Sequence, residues 1–157
     1  MKNIIFTFIL FCTSFLMAQK SIVSKEKVTP PQKVRDAFER GYPNKLAVWS
    51  LEYGGDDNDE IRYQAKFDVS NYSKGLAVYD NLGYLKAYEL QIPLSQLPAK
   101  AQTYLKNNYP AKAVHEIAVV VNDKNKTTYE VGVEKKGVFY DVVFDKNGGF
   151  DVIVQKD

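Results

Sequence analysis

The chain carries one long pattern twice. PQKVRDAFERGYP at 31–43 returns as PAKAQTYLKNNYP at 98–110. Pro31, Lys33, Tyr42 and Pro43 fall on Pro98, Lys100, Tyr109 and Pro110 at a constant offset of 67, with Phe38 on Leu105 and Val34 on Ala101. Lys45-Leu-Ala-Val-Trp49 matches Lys112-Ala-Val-His115 after one deletion, and Tyr63 matches Tyr129. Tyr79-Asp-Asn-Leu-Gly83 matches Phe144-Asp-Lys-Asn-Gly148, where the offset has drifted only to 65. Self-similarity kept in order over a whole unit reads as a tandem duplication, so whatever one unit builds the other should build too.

Each unit opens with a helix. Val34, Phe38 and Tyr42 lie at i, i+4 and i+8, one helical face, and Ala101, Leu105 and Tyr109 repeat the spacing. Pro31 and Pro98 suit a first turn, and Pro43 and Pro110 stop the helices. Strands follow. Ile61, Tyr63, Ala65, Phe67 and Val69 alternate with Arg62, Gln64, Lys66 and Asp68, which predicts one buried and one wet face. Tyr129, Val131 and Val133 alternate with Glu130, Gly132 and Glu134. Asp80 to Gly83 and Asp145 to Gly148 read as tight hairpin turns, as do Gly54 to Asp57 and Asn122 to Asn125. Ile92-Pro-Leu-Ser-Gln-Leu-Pro98 is short and apolar and reads as a join between units that pack together. The expected fold is α+β: a tandem repeat of helix plus four-stranded antiparallel meander, with the helices packed on one face of the sheet. The units span 28–92 and 93–157.

Upstream, Lys2, an apolar run from Ile4 to Leu16 and the small Ala18 form the pattern of a secretory signal peptide over 1–18, followed by a tail at 19–27. The run is short for a membrane span, which takes about 20 residues. Phe11, where a lipoprotein signal wants a small residue before its cysteine, argues against lipidation of Cys12. Cleavage after Ala18 leaves 139 of the 157 residues, without cysteine and with all 11 tyrosines. The expected location is periplasmic or secreted, with no membrane association after cleavage. A net charge of +2 gives no basis for nucleic-acid binding.

A secreted chain with two helix-YP-strands-(Y/F)D-x-x-G units joined by IPLSQLP resembles the PepSY-like periplasmic family, which is similar to the β-lactamase inhibitory protein. The resemblance runs from about 28 to 155 and rests on Tyr42-Pro43, Trp49, Tyr79-Asp80, Ile92-Pro93-Leu94, Tyr109-Pro110 and Phe144 to Gly148. It implies a tandem helix-plus-sheet fold and export. One departure is His115, which stands where the first unit has Trp49 and is read as a packing residue.

No chemistry-bearing set assembles. The single His115 has no second histidine or nucleophile to work with, and Ser50, Ser70, Ser73 and Ser95 lack a Gly-x-Ser-x-Gly context. No enzyme and no cofactor are expected. Asp56, Asp57 and Asp59, in the acidic run 56–60, are the metal candidates; calcium takes clustered carboxylates, but the spacing of an EF-hand loop is not met. A solvated hairpin tip explains the run as well. The expected function is a non-catalytic binding module, inhibitor-like, for another envelope or secreted protein; the alternative is a small-ligand or calcium carrier using 56–60.

The binding surface is read from strand parity. Tyr140, Val142 and Phe144 look helix-facing, which leaves Phe139, Asp141 and Val143 on the other face. By the repeat, Leu76 and Val78 share it, and across the hairpin Tyr84 and Tyr88 join them. Leu76, Val78, Tyr84, Tyr88, Phe139 and Val143 are therefore the expected protein-binding surface, since exposed apolar patches mark partner sites and tyrosines often anchor them.

Overall fold

The computed structural model describes residues 28–54 and 60–156. The signal peptide and tail, and Asp56, Asp57 and Asp59, lie outside the described residues. Helix α1 (Gln32–Gly41) is followed by strands β1 (Ala47–Gly54), β2 (Glu60–Ser70), β3 (Ser73–Asp80) and β4 (Leu85–Gln91). A short 3-10 turn, Leu94–Gln96, leads to helix α2 (Ala99–Asn108), a second such turn (Ala111–Ala113), and strands β5 (Val114–Asn122), β6 (Thr127–Lys135), β7 (Val138–Asp145) and β8 (Phe150–Gln155).

The strands form one eight-stranded antiparallel sheet in sequence order. It does not break at the middle: Tyr88 pairs with Val121, Leu90 with Val119 and Gln91 with Ala118. The backbone N–H of Ile92 extends the ladder by donating to the Ile117 carbonyl at 2.9 Å. The IPLSQLP segment steps off this ladder, and Leu97 is buried with α2.

Pro31 and Pro98 each stand at the N-cap, one residue before the helix, and Tyr42 and Tyr109 close the helices through N–H bonds to Phe38 and Leu105 carbonyls. The expected apolar faces are the buried ones. Val34 and Phe38 pack with Ala65, Phe67, Ala77 and Tyr79. Ala101 and Leu105 pack with Ile117, Val131, Val133, Val142 and Phe144. Phe38 meets Phe67 edge-on at 5.2 Å and Trp49 at 5.4 Å, the tilted geometry aromatic quadrupoles favour. Trp49 is half-buried against this cluster rather than enclosed by it.

The helices touch one face, here the inner face. Residues opposed across an antiparallel pair point the same way, so the register assigns every strand position to a face. Trp49, Ala65 and Ala77 lie on the inner face, and Ser50, Gln64 and Val78 on the outer one.

The D-x-x-G turns share one device. Asp80 Oδ1 accepts backbone N–H bonds from Leu82 and Tyr84, both at 2.9 Å. Asp145 Oδ1 accepts from Asn147 at 2.7 Å and Gly149 at 2.9 Å. Asn122 does the same for Lys124 and Lys126. Gly148 has φ +79 and lies so close to α2 that a Cβ would come within 2.7 Å of the Pro98 Cβ. A Cβ on Gly83 would come within 2.6 Å of the Lys33 carbonyl oxygen in α1. Each of these two hairpin tips therefore butts against the start of a helix.

Alternation in β2 holds, but the expectation of a wet outer face does not. Arg62 and Gln64 are buried there, while Ile61, with Leu51 and Tyr53 beside it, is exposed on the inner face. The cause is length. A ten-residue helix reaches about 15 Å and an eleven-residue strand about 36 Å, so α1 cannot cover all of β2.

Candidate functional site

Neither helix lies on the outer face, yet its middle is closed to solvent. Val78 and Ala87 are buried there, as are Glu52, Arg62, Gln64, Glu89, Val120, Glu130 and Asp141. These side chains shelter one another. Pairing shifts at Asp68/Ser70, Val78/Tyr79, Val114/Ile117 and Val143/Phe144 mark bulges, which bend strands and increase twist.

Four of the six expected surface residues stand on this face: Leu76 and Val78 on β3, Phe139 and Val143 on β7. Leu76, Phe139 and Val143 are half-buried, and Val78 is fully buried. They do not form one apolar patch. β3 and β7 are four strands apart, about 19 Å at ordinary strand spacing, and the carboxyls of Glu89 and Glu130 lie on strands between them.

Tyr88 is elsewhere. It pairs with Ala77 on the inner face and stacks on Tyr42 at 5.7 Å, packed against the α1 core. The reason is a bulge. Val78 pairs with Ala87 but Tyr79 with Leu85, so Lys86 is an extra residue that inverts the parity counted from the turn. Tyr84 is 67% exposed but belongs to the turn before β4, where its carbonyl accepts the Asp80 N–H. A second bulge moves His115. His115 and Glu116 together span Gly132 between the pairs Val114–Val133 and Ile117–Val131. His115 is exposed, 3.6 Å from Glu134 and beside the Phe139 ring, on the outer face and not in a tryptophan-like packing position.

Sequence reading missed the polar interior of this face. Ser50 Oγ donates to Gln64 Oε1 at 3.0 Å, and Gln64 Nε2 donates to Glu52 Oε2 at 2.9 Å. Burial pushes the Glu52 carboxyl up, against the lowering pull of Gln64 and Arg62. Arg62 pairs with Glu60 at 2.8 Å, so the described acid of the 56–60 run faces a guanidinium. Lys156 holds Asp141 at 2.8 Å, yet burial still raises the Asp141 carboxyl. Burial, reinforced by Asp141, raises Glu130 to about 8. Glu89 is raised well above the ordinary carboxylate range by burial and then by Glu130, Glu52 and Asp141, with Lys66 opposing. Its Oε1 has no hydrogen-bond partner. The one available signal was a glutamate mid-strand in two interior strands, Glu89 in β4 and Glu130 in β6, and alternation assigns such residues to solvent.

Among the described residues no group of three or more His, Cys, Asp or Glu is placed to hold a metal ion. Among them, too, no helix is long and apolar enough to cross a membrane.

Residues 80–151 match the family described as "Putative beta-lactamase-inhibitor-like, PepSY-like". No curated protein matches the chain by sequence. Several solved structures share its fold. One, described as "putative periplasmic proteins" from Bacteroides eggerthii, is 16% identical with a TM-score of 0.66 and covers 82% of this chain and 90% of its own. A DUF2874 family protein from Bacteroides ovatus is 18% identical with a TM-score of 0.65, over 82% of this chain and 89% of that one. A BLIP-like protein from Bacteroides fragilis is 22% identical with a TM-score of 0.58, over 82% and 87%. Residues 80–151 thus match the PepSY-like family that the sequence resembles, and the fold is similar to that of a BLIP-like protein.

Proposed function

We propose that the protein is an exported, non-catalytic binding module that docks another envelope or secreted protein on its outer sheet face. The observation that carries the reading is the division of labour between the faces. The inner face is occupied by two helices, whereas the outer face, free of both, presents half-buried Leu76, Phe139 and Val143 around buried polar groups. Partly exposed apolar side chains on a sheet face that no helix covers suit a protein partner. A face about 19 Å across between β3 and β7 also suits a partner footprint of about 800 Å². Likeness to a family described as β-lactamase-inhibitor-like supports an inhibitor-like module.

Export through a signal peptide at 1–18 and a periplasmic location belong to the same reading, supported by the n-region, apolar run and Ala18, and by the description of the Bacteroides eggerthii neighbour. The intact mass of exported protein tests this: a chain still carrying Met1 to Ala18 excludes it. Descent by tandem duplication, with units at 28–92 and 93–157, is supported by the order of helix then four strands in each half and by the paired Asp80 and Asp145 turns.

The binding reading is tested with the mature protein immobilised against native envelope extract. A partner retained by the parent should bind a Leu76→Ala/Phe139→Ala variant at least about tenfold more weakly, since truncated interface anchors commonly lose that much. Leu82→Ala, in the exposed β3–β4 turn, should bind as the parent does. Equal retention by all three proteins overturns the outer face as the docking surface.

A further inference from the structure

The centre of the outer face holds an unfinished electrostatic arrangement. Glu89 on β4 is 4% exposed and Glu130 on β6 is 9% exposed, and neither strand is an edge of the sheet. They flank β5, where Glu89 opposes Val120 and Glu130 opposes Ala118. The two backbones are about 10 Å apart, within reach of two glutamates converging on one group. The floor between them is small and apolar.

A buried carboxyl oxygen without a partner is uncommon, because its desolvation goes uncompensated. Glu89 Oε1 is the orphan here. Cations stand on either side of it but are committed or remote. Arg62 on β2 pairs with Glu60, Lys86 with Asp123, and Lys156, beyond β8, with Asp141. Lys66 opposes the Glu89 shift without cancelling it.

Charge is also lopsided. The outer face of β1 to β3 mixes Glu52, Glu60, Asp68 and Asp80 with Arg62, Lys66 and Lys74. From β4 onward it carries Glu89, Glu130, Glu134, Asp141 and Asp145, with Glu116 beside Asp141, against Lys156. The missing complement is positive. Among the described residues no three carboxyls are gathered as a metal requires, and the approach is through a layer of sheltering side chains. Both points favour a charged head on a slender stem.

We propose that Glu89 and Glu130 form the receptor for a lysine or arginine side chain of the protein partner that docks on the outer face. The inference rests on the reading of that face as a docking surface and names the chemistry of its central contact. An incoming ammonium or guanidinium supplies the partner that Glu89 Oε1 lacks and relieves its repulsion from Glu130. Both carboxyls are raised, so binding ionises them and releases protons. Affinity then increases as pH rises toward about 8, the value of Glu130.

The test pans a displayed library of random short peptides on the mature protein at neutral pH. Affinities of the enriched peptides are then measured on the parent and on variants. Glu89→Gln and Glu130→Gln keep shape and remove buried repulsion, so both should fold, as circular dichroism will show. Support requires three results together: enriched peptides share a lysine or arginine, citrulline or norleucine in its place abolishes binding, and each Gln variant binds roughly thirtyfold more weakly. Peptides that lose affinity for Leu76→Ala/Phe139→Ala but not for the Gln variants overturn the cation receptor and leave the docking face standing. If no peptide depends on any of these positions, both readings fall. A melting point raised by calcium in the parent but not in Glu89→Gln also overturns the proposal, because the centre is then an inorganic ion site.

Discussion

Glu130 is a carboxyl that the fold holds against its ordinary acidity, and this has a signed consequence for stability. Its value moves from 4.5 to about 8, with burial as the main cause. Below 4.5 the group is protonated folded and unfolded alike. Between 4.5 and about 8 the unfolded chain has released a proton that the folded chain keeps. Stability therefore falls as pH rises through that window, since the native state binds more protons. Glu130→Gln should melt above the parent at the alkaline end, and the gap should shrink as pH falls toward 4.5; a gap independent of pH would show that the carboxyl is not protonated in the fold. Backbone geometry gives a second test at this scale. Gly137 and Gly148 have nearly equal φ, +77 and +79, but only Gly148 lacks room for a side chain. Gly137→Ala should cost about 1 kcal/mol for the left-handed conformation. Gly148→Ala should cost more than about 2 kcal/mol, because the Pro98 contact adds strain. Urea unfolding separates the two, and equal losses would mean that the hairpin tip does not press on α2.

Elements were legible in the sequence where one period ran uninterrupted. The helices followed from Val34/Phe38 and Ala101/Leu105, and β7 from Tyr140/Val142/Phe144, because buried apolar side chains at a fixed spacing leave no second choice of face. Legibility ended at the bulges. One extra residue at Lys86 reversed the face of Tyr88, and another at the 115–116 step carried His115 out of its tryptophan-like position. A bulge is set by tertiary fit and leaves no mark in hydrophobic alternation. The buried glutamates were illegible for a related reason: alternation marks which face a residue points to, not whether that face is sheltered. The helix faces can be tested directly. Phe38→Ala should destabilise by about 3–5 kcal/mol and Leu105→Ala by about 2–5 kcal/mol, the usual cost of such truncations in a core. A parent-like denaturation midpoint in either would refute the packing of that helix.

At the scale of the whole molecule, the seam between β4 and β5 is an ordinary antiparallel ladder, so each half covers an edge of the other. Residues 93–157 produced alone would bare the β5 edge, whose Ile117 to Val121 run is apolar apart from its backbone. Unpaired flat edges recruit other chains, so light scattering should find dimers or larger species; a monomer with a native-like circular dichroism spectrum would show that the seam is dispensable. The contact between hairpin tips and helix starts has a kinetic consequence. Gly83 abuts Lys33 and Gly148 abuts Pro98, and both pairs are separated by 50 residues of chain. A contact of such long range cannot form until three intervening strands have turned back on one another, and closing a span of that length slows folding. Each helix is thus expected to be latched late, once its meander exists. Loosening the latch with Gly148→Ala should then hasten escape from the native state while leaving the refolding arm of the chevron in place.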